Sequence, residues 1–141
     1  MTEQEYYLEI YGFWREGMKE NVPPYSGVYF VYECTYMPEN DSLAMKRLLY
    51  IGEAENVRER IGNHEEWDKW KKNVAEGNEL CFSFTNALPK DRERIQAALI
   101  FQNKPLLNDT YKEGFPFDET TITARGCIDL LLTDYTVERT P

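Results

Sequence analysis

Hydrophobic and polar positions follow the period of a strand in three parts of the chain. The segment 27–33 (GVYFVYE) is almost entirely aromatic, Val or Gly, and it predicts a strand with two apolar faces. The segment 48–52 (LLYIG) predicts a second strand, and the polar loop 37–46 between the two predicts an antiparallel hairpin with a long connection. The segment 79–85 (ELCFSFT) alternates large apolar with smaller residues, which predicts a third, half-buried strand.

Helical spacing of apolar residues predicts four further elements. Tyr7, Ile10, Tyr11 and Trp14 recur at intervals of three and four and predict an amphipathic N-terminal helix over 3–18. The remaining three predicted helices cover 56–63, 65–76 and 89–103. The tail from Asp118 alternates in part and predicts a terminal hairpin or strand.

These elements predict one domain over 1–141 of the α+β type. We expect a small three-stranded, antiparallel-rich central sheet flanked by helices. The core spans 25–108, with an N-terminal helical extension over 1–24 and an acidic C-terminal extension over 109–141.

The net charge of −9 is concentrated in the flanks. Residues 46–104 carry 11 Lys/Arg against 10 Asp/Glu, so the middle of the chain is nearly neutral. The three cysteines are far apart and form no Cys-x-x-Cys pair, which makes buried free thiols the simplest interpretation. Because no long apolar run or signal-like N-terminus is present, we expect a soluble, cytoplasmic protein that does not enter a membrane.

Candidate chemistry lies between residues 27 and 64. Tyr29 and Tyr50 stand on the two strands of the predicted hairpin, and Arg60 and His64 share one helix stripe at a spacing of four. Phenol groups at such a place can orient a water molecule or a phosphate, and an arginine can neutralise charge that develops on phosphorus. A carboxylate on a nearby helix could hold a divalent metal ion.

An ordered set of short segments resembles the GIY-YIG nuclease superfamily, which includes homing, repair and restriction endonucleases. The matching segments are Gly27-Val28-Tyr29, Tyr50-Ile51-Gly52, Asn56-Val57-Arg58-Glu59-Arg60, Gln96-Ala97-Ala98-Leu99-Ile100 and Lys104-Pro105-Leu106-Leu107-Asn108. The resemblance covers about residues 25 to 108.

The resemblance implies hydrolysis of a DNA phosphodiester with one Mg²⁺ or Mn²⁺ ion. It places Tyr29 near the attacking water, Tyr50 beside it, Arg60 on the phosphate and His64 in proton handling. It implies supporting roles for four further residues, Gly27, Gly52, Asn56 and Asn108. Nucleic acid or a protein partner would be contacted by Arg58, Trp67 and Trp70, although local packing is the alternative for both tryptophans and a solvated position for Arg58.

The chain departs from the family at the metal ligand. The expected glutamate position holds Gln96, whose neutral amide is a poor ligand for a hard dication that carboxylates usually hold. Glu93, three residues earlier on the same helix, is the candidate substitute. Glu53 also stands where many relatives carry Lys or another polar residue.

Two functions therefore stay open. The first is a metal-dependent endonuclease weakened by Gln96. The second is a catalytically silent module on the same scaffold that binds nucleic acid or a protein partner. A third and weaker alternative is that the acidic flanks cover the groove and regulate it.

Overall fold

The three predicted strands are present, but they belong to a larger sheet. The computed structural model describes residues 2–141, which form one curled, mixed sheet of six strands. The strands are β1 (Gln4–Arg15), β2 (Gly27–Met37), β3 (Ser42–Ala54), β4 (Glu79–Asn86), β5 (Thr120–Gly126) and β6 (Asp134–Val137). Their order across the sheet is β3-β2-β4-β1-β5-β6, with β1 and β5 parallel and the other neighbours antiparallel.

The helices are short and lie on both faces of this sheet. They are α1 (Val57–Gly62), α2 (Trp67–Lys72) and α3 (Arg92–Asn103), and a short 3-10 helix covers Glu16–Asn21. On one face α3 packs against the inward side chains of β1, β2 and β5, such as Ile10, Phe30 and Ile122. On the other face α1 and α2 pack against β2 and β4, including Val31 and Phe82.

The predicted fold of a three-stranded sheet flanked by helices is therefore wrong, because the chain is mostly sheet. The N-terminal helix is also wrong, since residues 4–15 form β1. Leu8 and Ile10 are buried at strand spacing, whereas the tyrosines that suggested a helix, Tyr7 and Tyr11, point to solvent. The aromatic and β-branched composition of this segment favours a strand, and that preference outweighs the apparent helical spacing.

Residues 109–141 add strands to the same sheet. β5 pairs with β1 from Gln4↔Thr120 to Ile10↔Gly126, and β6 pairs with β5. The predicted hairpin of β2 and β3 is confirmed, but its strands extend to Met37 and from Ser42, so the connection is much shorter than predicted. Among residues 2–141 no helix has the length and apolar character needed to cross a membrane.

Candidate functional site

Tyr29 and His64 form a buried hydrogen-bonded pair. Tyr29 lies on β2 and faces α1 and α2, because alternate residues of a strand point to opposite faces. His64 lies in the turn between α1 and α2, and its Nε2 is 2.7 Å from the Tyr29 hydroxyl oxygen. The pair joins the hairpin to the helical layer that covers it.

The contacts of His64 define its tautomer. The backbone N–H of Glu66 donates to Nδ1 at 3.0 Å, so Nδ1 carries a lone pair. A neutral imidazole has one N–H, which must then be on Nε2 and must donate to the Tyr29 oxygen. The Tyr29 hydroxyl hydrogen is consequently free to donate to another group.

Both members of the pair are neutral at pH 7. Burial, followed by the positive charge of Arg60, lowers the pKa of His64 to about 4, against a smaller opposite effect of Glu65. Burial, followed by the neighbouring Tyr50, raises the pKa of Tyr29. The site therefore holds a neutral donor, the Tyr29 hydroxyl, and an imidazole whose two nitrogens are already engaged.

Aromatic rings surround this imidazole. The ring centroid of Trp70 lies 4.3 Å from that of His64, and the Tyr50 ring meets His64 edge-on at 5.4 Å. Tyr50 pairs with Val31 in the hairpin register, which places its ring on the same face as Tyr29. Burial and then Glu66 raise the pKa of Tyr50, so this phenol is also protonated at neutral pH.

Arg60 reaches the same place but is already paired. Its Nη2 donates to Glu65 Oε1 at 2.7 Å, and its Nη1 donates to Glu65 Oε2. Burial raises the pKa of both Tyr29 and Tyr50, and the charge of Arg60 partly opposes that rise, so the guanidinium is within electrostatic range of the two phenols. The hydrogen bonds from Arg60 lower the pKa of Glu65 to about 2. The side chain of Glu65 is 65% exposed. Glu65 is therefore an exposed carboxylate that accepts two hydrogen bonds from the Arg60 guanidinium.

An open pocket of about 630 Å³ borders Arg60. Its walls include Pro24 and Ala54, the acidic Glu55 and Glu59, and Asn63. The carboxylates at its rim repel an anion, whereas the arginine attracts one, so the pocket has no uniform charge.

The predicted supporting glycines are explained by close packing. A Cβ on Gly52 would lie 2.2 Å from the Tyr29 hydroxyl oxygen, and a Cβ on Gly27 would lie 2.2 Å from the carbonyl oxygen of Thr85. Only glycine allows the Tyr29 side chain to lie against the β3 backbone in this way. Gly52 therefore fixes the position of the phenol.

The two predicted supporting asparagines also have structural contacts. Asn56 accepts a hydrogen bond from the Glu59 N–H at 3.1 Å and caps the start of α1. The side chain of Asn108 bonds both the N–H and the C=O of Ile51 at 2.9 Å, where no further strand covers the edge of β3. Both residues hold the segments that carry the site.

The residues predicted to bind a metal ion are not joined to this site. Gln96 lies on α3, which packs on the opposite face of the sheet from α1 and α2. Its side chain forms no hydrogen bond with any residue within 2–141. Glu93 is exposed and accepts a hydrogen bond from the Tyr111 hydroxyl. Across residues 2–141 no group of three His, Cys, Asp or Glu side chains could hold a metal ion. The donor set does not fit a bound Mg²⁺ or Mn²⁺.

The predicted contact residues have local partners. Arg58 donates through Nε to the Val22 carbonyl at 2.7 Å. Trp70 is fully buried beside His64. Trp67 is half-buried, stacks on Phe82 with ring centroids 6.1 Å apart, and lies under the Lys19 ammonium.

Sequence reasoning missed two charged pairs near the site. Glu65 lies next to His64 in the sequence, but nothing in the local pattern indicates that it returns to Arg60. Arg92 of α3 donates to Glu53 at 2.7 Å, and that carboxylate is close enough to raise the pKa of Tyr29. The only sequence signal for these two ion pairs is that their members carry opposite charges.

Comparison with protein-family models, curated proteins and solved structures gives no match for this chain. The relationship to the GIY-YIG superfamily therefore stays a resemblance of the quoted motifs. We call the group formed by Tyr29, Tyr50, Arg60 and His64 the tyrosine–histidine site.

Proposed function

We propose that this chain is a GIY-YIG-type module that binds the phosphodiester backbone of nucleic acid at the tyrosine–histidine site and hydrolyses it weakly or not at all. The observation that carries the proposal is that this site offers hydrogen-bond donors. Arg60 is a cation, and the Tyr29 and Tyr50 hydroxyls are protonated at neutral pH. Hydrogen-bond donors grouped near an arginine can bind an anion.

A general base is missing from the same group of side chains. The Nδ1 of His64 accepts from the Glu66 N–H, and its Nε2 faces Tyr29. With both nitrogens occupied, the imidazole is not positioned to take a proton from a water molecule. This arrangement supports binding more directly than hydrolysis.

The divalent ion that the resemblance implies has no suitable ligands in this arrangement. Gln96 supplies no charge, and Glu93 is engaged by Tyr111. We therefore assign no step of the function to a metal ion, and this disagreement with the family pattern favours the binding module over the endonuclease.

Binding requires that Glu65 release Arg60. A carboxylate and a phosphate present similar oxygen pairs to a guanidinium, so a phosphate can replace the exposed Glu65 carboxylate on the same fork. Replacing Glu65 with Gln removes the competing charge and should strengthen phosphate binding. Glu59→Gln is the matched control, because Glu59 borders the same pocket without an ion pair to Arg60.

The test measures binding of a fluorescent DNA duplex by anisotropy at several salt concentrations. We expect Arg60→Ala to weaken binding by about tenfold or more, as charge-assisted hydrogen bonds contribute about 1.5–3 kcal/mol. Lys46→Ala removes one exposed positive charge elsewhere and should have a small effect. Binding by the wild type should also weaken as salt rises, because phosphate contacts release counterions.

Two results would contradict the proposal. One is an Arg60→Ala variant that binds the duplex as well as Lys46→Ala does. The other is that neither the wild type nor the Glu65→Gln variant binds the duplex at low salt.

The endonuclease is the second candidate, because the four residues that the resemblance assigns to catalysis lie together. Incubation of supercoiled plasmid with Mg²⁺ or Mn²⁺ distinguishes it from the binding module. Cleavage by the wild type that is lost in Arg60→Ala would favour the nuclease. Because Gln96 lies on the opposite face of the sheet from His64, Gln96→Glu should not gain cleavage, and a gain would favour a nuclease that has lost its metal ligand.

A further inference from the structure

The sheet has a second exposed surface, which β4 separates from the strands of the tyrosine–histidine site. We call it the open face: the side of β1, β5 and β6 that points away from α3. The pairing register places its residues in rows across the three strands. The rows are Glu5, Thr121 and Thr136, then Tyr7, Thr123 and Asp134, then Glu9 and Arg125.

None of the helices formed by residues 2–141 covers the open face. The opposite side of the same strands is buried against α3, with Leu8, Ile122 and Val137 in the core. On the open face Tyr7 is 76% exposed and Tyr11 is 47% exposed. Parallel strand pairs such as β1 and β5 are usually covered on both sides, so this exposure is unusual.

Carboxylates cluster at one end of the open face. Glu3 directly precedes β1, Glu138 directly follows β6, and Glu119 directly precedes β5. The register pairs Gln4 with Thr120 and Thr120 with Val137, so the residues next to them, Glu3, Glu119 and Glu138, are neighbours. Glu3 above all, and Glu138 more weakly, raise the pKa of Glu119. Like charges on neighbouring strands destabilise a sheet, so these three carboxylates repel one another.

The charge of the open face is therefore strongly negative. It carries six carboxylates, from Glu3, Glu5, Glu9, Glu119, Asp134 and Glu138, and one cation, Arg125. Its net charge of −5 is more than half of the −9 of the whole chain. Such a surface repels nucleic acid and anionic lipid.

We infer that the open face docks a Lys/Arg-rich segment of a partner protein. The carboxylates complement the cationic side chains, and the exposed rings of Tyr7 and Tyr11 provide apolar contact and cation–π interactions. A second copy of this chain is a poorer occupant, because the two acidic faces would repel each other. The inference does not depend on the tyrosine–histidine site.

The probe is a fluorescent peptide of alternating lysine and serine, titrated into the full chain. We expect Glu3→Gln combined with Glu119→Gln to weaken binding about fivefold, because it removes two exposed ion pairs of about 0.5 kcal/mol each. Tyr7→Ser should weaken it about threefold through the lost cation–π contact. Glu39→Gln combined with Glu76→Gln is the control, since these exposed residues lie elsewhere and the charge change is the same.

A stability measurement separates lost binding from lost structure. Because Glu3 and Glu119 repel each other, the Gln variant of both residues should unfold at a higher temperature than the wild type while it binds the peptide less tightly. Amide chemical-shift changes on titration should map to β1, β5 and β6.

Four outcomes would overturn the inference. The first is that the peptide fails to bind. The second is that the test and control variants weaken binding equally, which would mean that binding depends only on the net charge of the chain. Alternatively, the shift changes map to the pocket beside Arg60. Finally, the chain forms a dimer that Tyr7→Ser dissociates, which would identify a second copy as the occupant.

Discussion

Protonation of His64 should destabilise the fold at mildly acidic pH. His64 is the only histidine of the chain, its side chain is inaccessible to solvent, and both ring nitrogens have hydrogen-bond partners. A proton on Nδ1 would break the bond from the Glu66 N–H and place a second positive charge near Arg60. The folded state therefore resists a proton that the unfolded chain accepts.

The size of the effect follows from the two pKa values. Burial lowers the pKa of His64 from 6.5 to about 4 in the folded protein. A depressed pKa of a base means that the unfolded state binds the proton first, so stability falls as pH decreases from 6.5 towards 4. The shift corresponds to about 3 kcal/mol of unfolding free energy, at about 1.36 kcal/mol per pH unit.

The assay compares the wild type with His64→Gln. Urea unfolding, followed by tryptophan fluorescence, gives the unfolding free energy of each protein between about pH 7 and about pH 4. Carboxylates also titrate in this range, so the observable is the difference between the two proteins, which should shrink by about 3 kcal/mol as the pH falls. The single imidazole also gives an NMR titration that is free of overlap.

Two observations would refute this reasoning. An imidazole that titrates near its ordinary pKa of 6.5 would mean that His64 is solvated. Parallel loss of stability in both proteins would mean that other groups cause the acid sensitivity.

Two further changes test the packing that positions the site. Gly52→Ala should destabilise the fold by about 1–3 kcal/mol through overpacking, because the new Cβ would displace the Tyr29 ring. Gly62→Ala has open space around it and should be neutral or stabilising by up to about 1 kcal/mol, so equal losses in thermal unfolding would contradict the packing argument. Asn108→Ala should cost about 1–3 kcal/mol for each backbone group of Ile51 left unpaired, and an unchanged urea midpoint would show that water replaces the amide.

Part of this arrangement could be predicted from local patterns. The segments of β2 and β4 alternate side chains between two faces, and the structure places Phe30 and Val31 in separate cores as that period requires. The hairpin of β2 and β3 follows from two neighbouring strands in sequence. The resemblance grouped Tyr29, Tyr50, Arg60 and His64, and the structure brings their side chains together.

Local patterns misled at β1, where Tyr7, Ile10, Tyr11 and Trp14 at spacings of three and four suggested a helix. Tyr7 and Tyr11 are exposed, and the buried residues of the segment are Leu8 and Ile10 at strand spacing. A helix and a strand can both account for a short aromatic segment. The choice was decided by the partners β4 and β5, which are distant in sequence and supply the backbone hydrogen bonds of β1.

The sequence by itself determined which residues are apolar, which share a strand face, and which motifs resemble a nuclease. Only the tertiary structure decided the strand order, the parallel pairing of β1 with β5, the pairing of Glu65 with Arg60 and the separation of Gln96 from His64. Backbone amides are chemically alike, so a side-chain period cannot specify which distant strand completes a ladder. The charged contacts of the site depend on that choice, because each joins groups whose proximity no local period encodes.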